Sequence, residues 1–69
     1  MSVARITEIK SSSPKSFDDA VEKGVSRANK TLKNVRGAWV KEMEVECGKN
    51  GKITEYRVLL KVPFILSDD

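Results

Sequence analysis

The spacing of the hydrophobic residues divides the chain into segments of different periodicity. After Ser16, apolar or small residues recur every three or four positions, which is typical of one face of an amphipathic helix. These positions are Phe17, Ala20, Val21, Gly24, Val25, Ala28, Leu32 and Val35. Ser16 and Asp19 have the spacing of an approximate capping box, which satisfies free amide groups in the first helical turn. We therefore predict a helix that begins after Ser16, ends near residues 32–34 and packs closely against a sheet at Gly24.

The next two segments alternate with a period of two, which is typical of strands that have one buried face. On the first strand one face carries Trp39, Met43, Val45 and Cys47, with the charged Lys41 interrupting it. On the second strand one face carries Tyr56, Val58, Leu60, Val62, Phe64 and Leu66. Asn50-Gly51 lies between them and favours a two-residue type I′ hairpin turn, because both residues tolerate positive φ angles.

Counting outward from Asn50-Gly51 gives the register of this hairpin. It brings the two apolar faces together through the pairs Val45–Tyr56, Met43–Val58 and Trp39–Val62. On the opposite face it pairs Glu44 with Arg57, which is favourable, and Glu46 with Glu55, which is not.

The segment before the helix predicts a third strand. Residues 3–10 mix β-branched and charged side chains, and Ser11-Ser12-Ser13-Pro14 then predicts a loop. The complete pattern indicates an α+β fold of β-α-β-β order, with a three-stranded antiparallel sheet wrapped over one helix. We expect residues 1–69 to form a single domain.

Chain length and composition narrow the ways in which this fold can be stabilised. A 69-residue domain has a thin core, and natural domains of that size add disulfides, a metal or partner subunits. Cys47 is the only cysteine and there is no histidine, so neither an internal disulfide nor a zinc site is expected. Oligomerisation is therefore the expected source of additional stability. No apolar run is long enough to cross a membrane and the first residues lack a secretory pattern, so we predict a cytoplasmic protein.

Candidate chemistry is sparse. Without histidine there is no ready acid or base at neutral pH, and the glycines form no phosphate-binding motif, so we predict that the protein is not an enzyme. The net charge of +3 comes from interspersed charges, which argues against a nucleic-acid partner. Cys47 is expected to be a packed side chain on the inward face.

Three features have both a functional and a structural interpretation. Glu42, Glu44 and Glu46 form an acidic row that could hold a cation, or else an ion-paired surface, which we favour; no metal site is predicted. Trp39 could stack a planar heterocycle, although core packing is the commoner role. Arg57 could hold an anionic ligand group, although pairing with Glu44 is favoured.

The order and spacing of three segments resemble the dodecin family over nearly the whole chain. The segments are Ser12-Ser13-Pro14-Lys15-Ser16-Phe17, Ser26-Arg27-Ala28-Asn29-Lys30-Thr31-Leu32 and Tyr56-Arg57-Val58-Leu59-Leu60-Lys61-Val62-Pro63-Phe64. The resemblance implies a hollow homododecamer. It also implies that a flavin (riboflavin, FMN or FAD) is stored near subunit interfaces, stacked by a tryptophan early in the second strand and hydrogen-bonded by a glutamine in the third.

This sequence differs from the family pattern at both flavin-contact positions. Gly37 stands where the tryptophan is expected, Trp39 follows two residues later, and Arg57 occupies the glutamine position. The cofactor-binding residues are therefore expected to be Trp39, Arg57 and Gly37, with Trp39 brought to the site by an irregularity near the start of the second strand. The alternative is a flavin-free assembly that is structural or binds a cation.

Overall fold

A computed structural model describes residues 3–32 and 34–66. Its elements are β1 (Ala4–Ser13), α1 (Phe17–Thr31), β2 (Trp39–Cys47) and β3 (Ile53–Ile65). The strands form an antiparallel sheet in the order β1-β3-β2, and α1 packs mainly on β1 and β3. This confirms the predicted α+β fold, with one helix and a three-stranded antiparallel sheet.

The core lies between α1 and the middle of β3. Ala20, Gly24 and Ala28 are the buried helix positions, and they face the buried β3 side chains Val58, Leu60 and Val62. A Cβ atom added to Gly24 would lie 2.8 Å from Leu60 Cδ1 and 3.0 Å from Ser11 Cβ. Glycine therefore allows the helix to approach the sheet closely, as the helical spacing predicted.

The serine run belongs to β1 and is not the predicted loop. Ser13 is fully buried, and its hydroxyl donates a 2.5 Å hydrogen bond to Asp19 Oδ2 while accepting one from the Lys15 amide. The hydroxyl of Ser16 accepts a 3.0 Å hydrogen bond from the Asp19 amide, which confirms the predicted cap. A buried hydroxyl such as that of Ser13 usually has such partners, and the hydrogen bonds of Ser13 and Ser16 connect the end of β1 to the start of α1.

The contacts of Asp19 predict a specific dependence of stability on pH. The hydrogen bond from Ser13, followed by the contact with Lys23 at 3.2 Å, lowers the pKa of Asp19 below its ordinary value. A lowered folded-state pKa contributes stability that is present above the unfolded-state pKa, about 4, and is lost as the pH falls through the folded-state pKa. We expect Asp19→Asn to destabilise the protein at neutral pH and to approach wild-type stability towards pH ~2.

Urea denaturation across this pH range measures the effect. Asp18→Asn is the matched control, because Asp18 is exposed in the same helical turn and accepts no side-chain hydrogen bond within the described ranges. If the free energies of unfolding of Asp19→Asn and wild type differed by the same amount at every pH, the carboxylate charge would make no contribution to stability.

The hairpin turn differs from the predicted type I′ turn. Gly51 has φ +81°, but Asn50 is not among the described residues with positive φ. Gly51 N–H donates to the Gly48 carbonyl at 3.0 Å, and Gly48 N–H donates to the Lys52 carbonyl at 2.8 Å. The loop thus has three residues, of the kind that ends in a glycine with positive φ.

A compensating irregularity preserves most of the predicted register. Glu46 pairs with Glu55 but Cys47 pairs with Ile53, so Thr54 is an extra residue on β3. The extra loop residue and the extra strand residue cancel. The structure consequently confirms the pairs Val45–Tyr56, Met43–Val58, Glu44–Arg57 and Glu46–Glu55.

The helix leaves β2 uncovered. Val40, Met43 and Val45 lie on the helix side of the sheet, yet they are 40% to 55% exposed. We call these three residues the β2 strip. Cys47 is also exposed, so its prediction as a packed inward side chain was wrong. Strand alternation indicated which residues share a face but not which strands the helix would cover.

The helix in the described part of the chain, α1, lacks the length and apolar character needed to cross a membrane.

Candidate functional site

The sheet face opposite the helix carries most of the residues selected from the sequence. Val58, Leu60 and Val62 point towards the helix, so the alternate β3 residues Arg57 and Lys61 point away from it. We call this side of the sheet the outer face. Register also assigns to it Glu8, Lys10 and Ser12 of β1, Glu55 and Leu59 of β3, and Glu42, Glu44 and Glu46 of β2.

A β-bulge at Lys41 decides which face displays Trp39. Val40 pairs with Leu60 and Glu42 pairs with Leu59, which leaves Lys41 as an additional residue on β2. Beyond the bulge Trp39 pairs with Lys61, so the predicted pairing with Val62 was wrong. Because one extra residue reverses the alternation, Trp39 lies on the outer face and not with Met43 and the inward residues.

Trp39 is a surface side chain in the single subunit. It is 59% exposed, which contradicts the favoured interpretation of Trp39 as a core residue. The bulge also places it on the same face as Arg57, four residues along β3 from its partner Lys61. At a rise of about 3.3 Å per residue this corresponds to about 13 Å along the strand. The two side chains therefore share a surface without lying side by side.

Arg57 is held by two carboxylates, neither of which is the predicted Glu44. Its Nη2 atom lies 2.7 Å from Glu46 Oε1 and 3.4 Å from Glu55 Oε1. Register places Glu44 opposite Arg57, but Glu44 instead contacts Lys10 at 3.6 Å. Both contacts of Arg57 use Nη2, and a guanidinium has donors on its other two nitrogens as well. Arg57 can therefore donate further hydrogen bonds to an acceptor group of a ligand.

The acidic row is largely ion-paired, as favoured from the sequence. Glu44 and Glu46 have the basic partners just described, and a third pair joins Lys41 Nζ to Glu8 Oε2 at 3.1 Å. Across residues 3–32 and 34–66, no group of three or more cysteine, aspartate or glutamate side chains is arranged to hold a metal ion. Within one subunit, Glu8, Glu44 and Glu46 neutralise basic side chains of this face.

A shallow open groove of about 320 Å³ crosses the outer face beside Arg57. It is lined by Lys10, Glu42, Met43, Glu44, Arg57, Val58 and Leu59. Met43 and Val58 point towards the helix side, so Leu59 is the apolar side chain that faces this groove, among the charged side chains of Lys10, Glu42, Glu44 and Arg57. This combination suits a small ligand that has both an apolar and a polar part. Trp39 does not line this groove within one subunit.

Gly37 lies two residues before β2, in the connection from the helix. A Cβ atom added there would meet no atom within 4 Å, and the glycine with positive φ in the described chain is Gly51. The backbone at Gly37 therefore has room for a larger side chain. Gly37 is two residues from Trp39 in the sequence, but it does not contact Arg57 in the structure.

The sequence reasoning missed Lys61. It is the cross-strand partner of Trp39 and also pairs with Glu8 on β1, so it lies between them on the outer face. The charged Lys41 interrupts the apolar face of its strand in the sequence. That interruption was the signal that could have located the bulge and the pairing of Trp39 with Lys61.

Fold and outer face together define a small β-α-β-β protein that displays an exposed indole and a clamped arginine on one open sheet face. The chain belongs to the dodecin family, whose family model matches residues 3–67. The family resemblance expected from the sequence is thereby confirmed.

Individual relatives agree with this assignment. The chain is 38% identical over 64 residues to calcium dodecin of Mycobacterium tuberculosis, a match that covers 93% of this chain and 89% of that protein. The crystal structure of that relative, described as calcium-chelating with a novel calcium-binding site, superposes with a TM-score of 0.83 at 31% identity, covering 97% of this chain and 94% of that one.

Two further dodecin structures are similar in fold. Dodecin from Streptomyces davaonensis has a TM-score of 0.89 and 33% identity, and the match covers 97% of both chains. A single-site mutant of the Thermus thermophilus dodecin has a TM-score of 0.89 and 31% identity, with 99% of this chain and 100% of that chain covered.

Proposed function

We propose that this chain forms a non-enzymatic, hollow homododecamer that stores or sequesters a small planar cofactor, a flavin such as riboflavin, FMN or FAD. Trp39 stacks on the ring system, Arg57 donates to its polar edge and Gly37 leaves the approach open. One observation carries the proposal: the bulge at Lys41 turns an exposed indole onto the same sheet face as Arg57.

The chemistry of the outer face supports a binding role. An indole offers a flat surface for a heterocycle, and stacking of this kind is tolerant of the ligand's exact identity. Arg57 presents a planar set of donors that suits ring carbonyl or other acceptor groups. The absence of histidine from the sequence removes the commonest acid-base catalyst, which is consistent with binding and not turnover.

Self-association is supported by the uncovered β2 strip. Every residue of β2 is exposed, and the described residues include only five buried hydrophobic side chains, so much apolar surface is left in contact with water. A small domain of this kind gains stability when partner subunits cover such surface. The lone thiol of Cys47 is compatible with a reducing cytoplasm, which we propose as the location.

A second function is favoured by one specific observation. The relative from M. tuberculosis is named calcium dodecin, and the acidic row of this chain provides carboxylate oxygens, which calcium prefers. A flavin-free assembly could bring acidic rows of neighbouring subunits together. The ion pairs of Glu44 and Glu46 within each subunit favour the flavin proposal over this alternative.

Titration of the purified wild-type protein separates the two functions. We expect addition of protein to FMN to quench flavin fluorescence to a saturable end point, because stacking on an indole provides a path for quenching. Addition of calcium is expected to leave the melting temperature unchanged. Unquenched flavin together with a calcium-dependent rise in melting temperature would replace the proposal with the cation-binding alternative.

A further inference from the structure

The charges of the outer face are separated along the strands. Near Arg57 the face carries two basic side chains, Arg57 and Lys10, and four acidic ones. The acidic side chains are Glu42, Glu44, Glu46 and Glu55. Around Trp39 the balance of charges is reversed, because the described residues there include two lysines, Lys41 and Lys61, and one carboxylate, that of Glu8. The Trp39 end of the face is therefore the electropositive end.

The bulge determines which of the two lysines is neutralised. By register Glu8 lies directly opposite Lys61, where a cross-strand ion pair would be expected. Glu8 is instead engaged by Lys41, whose Nζ atom lies 3.1 Å from Glu8 Oε2. Lys61 is half-buried and forms no ion pair with any residue in the described ranges.

An ammonium group in this position has a defined neighbour. Lys61 and Trp39 are cross-strand partners on one face, a relation that brings Cβ atoms to about 5 Å. A planar ring stacked on the indole would place its substituents beside the ammonium. A charge-assisted hydrogen bond from lysine is suited to a phosphate or another compact anionic group.

We propose that Lys61 is a specificity-determining residue that holds an anionic group, a phosphate monoester, of the planar ligand stacked on Trp39. This inference rests on the proposed flavin-binding function and adds a ligand class to it: the protein prefers phosphorylated flavins to riboflavin. Lys41 is a positioning residue, because it forms the ion pair with Glu8 and thereby leaves the ammonium of Lys61 available to the ligand.

FMN and riboflavin form a matched ligand pair, since they share the ring system and differ in the phosphate. We expect wild-type protein to bind FMN about three- to tenfold more tightly than riboflavin, as for one partly exposed charged hydrogen bond. Lys61→Gln is expected to abolish this ratio by weakening FMN alone. High salt is expected to reduce the ratio in wild type and not in Lys61→Gln.

Three further variants test the role of Lys41. Lys41→Gln releases Glu8 to pair with Lys61 and is expected to reduce the FMN-to-riboflavin ratio. Removing the competing carboxylate as well, in Lys41→Gln with Glu8→Gln, is expected to restore it. Lys52→Gln, in the exposed hairpin, is the control for the loss of one positive charge and is expected to leave both affinities unchanged.

The outcomes separate this inference from the function on which it rests. Equal binding of FMN and riboflavin to wild type, or an unchanged ratio in Lys61→Gln with a normal circular dichroism spectrum, overturns the role of Lys61 and leaves flavin storage standing. Failure of wild type to bind either ligand overturns both.

Discussion

Leu60→Ala is expected to unfold most of the protein under conditions in which the wild type is folded. Leu60 is fully buried and is the largest of the buried core side chains in residues 3–32 and 34–66. Its Cδ1 atom fills the space opposite Gly24, and the other buried helix residues, Ala20 and Ala28, have small side chains that fill little of the resulting cavity. Such substitutions cost about 2–5 kcal/mol.

That cost is large for this chain. A single small core supplies on the order of 3–5 kcal/mol of net stability. Urea denaturation followed by circular dichroism, at one fixed protein concentration, measures the difference in the free energy of unfolding.

Leu59→Ala is the matched control for the loss of a leucine from β3. Leu59 is the next residue on the same strand, but it lies on the outer face and is only half-buried. We expect a cost of about 1 kcal/mol, which is typical of single substitutions. Equal destabilisation by the two variants would contradict the assignment of the core to the helix side of β3.

Trp39→Ala is expected to reduce flavin affinity by a factor of about 5 to 150. This range corresponds to the 1–3 kcal/mol that stacking of a planar base on an aromatic side chain contributes. Trp39→Phe is expected to retain part of the affinity, since a smaller ring still offers a flat surface. Flavin fluorescence quenching measures both effects.

Two variants make this test specific. Val3→Ala removes an apolar side chain of similar exposure that precedes β1, and it is expected to bind like wild type. Gly37→Trp, introduced into Trp39→Ala, places an indole at the position implied by the family resemblance, where the structure has open space. We expect this double variant to regain affinity. Wild-type affinity in Trp39→Ala would remove Trp39 from the site.

The helix and most of the hairpin register followed from local rules. Apolar spacing located α1, and Ser16 marked its start because a hydroxyl at that position can accept a first-turn amide. The register was correct at Glu44–Arg57 although the turn was wrong. The third loop residue and the extra residue Thr54 shift the pairing in opposite senses, and no local rule indicates that two irregularities will cancel.

The candidate site was less predictable. A bulge reverses the alternation beyond it, so the face of Trp39 could not be assigned until Lys41 was recognised as the extra residue. The charged side chain of Lys41 at an inward position was the available signal. The ion pairs of Arg57 could not be assigned from register, because a long side chain can reach Glu44, Glu46 or Glu55 and the choice depends on three-dimensional packing.

Native mass spectrometry of the wild-type protein with FMN tests the central claim most directly, because one spectrum reports both subunit number and bound ligand. We predict a twelve-subunit assembly that carries FMN, and loss of most of the bound FMN from the Trp39→Ala assembly without loss of subunits. A monomer, or a dodecamer that carries no FMN, would contradict the account.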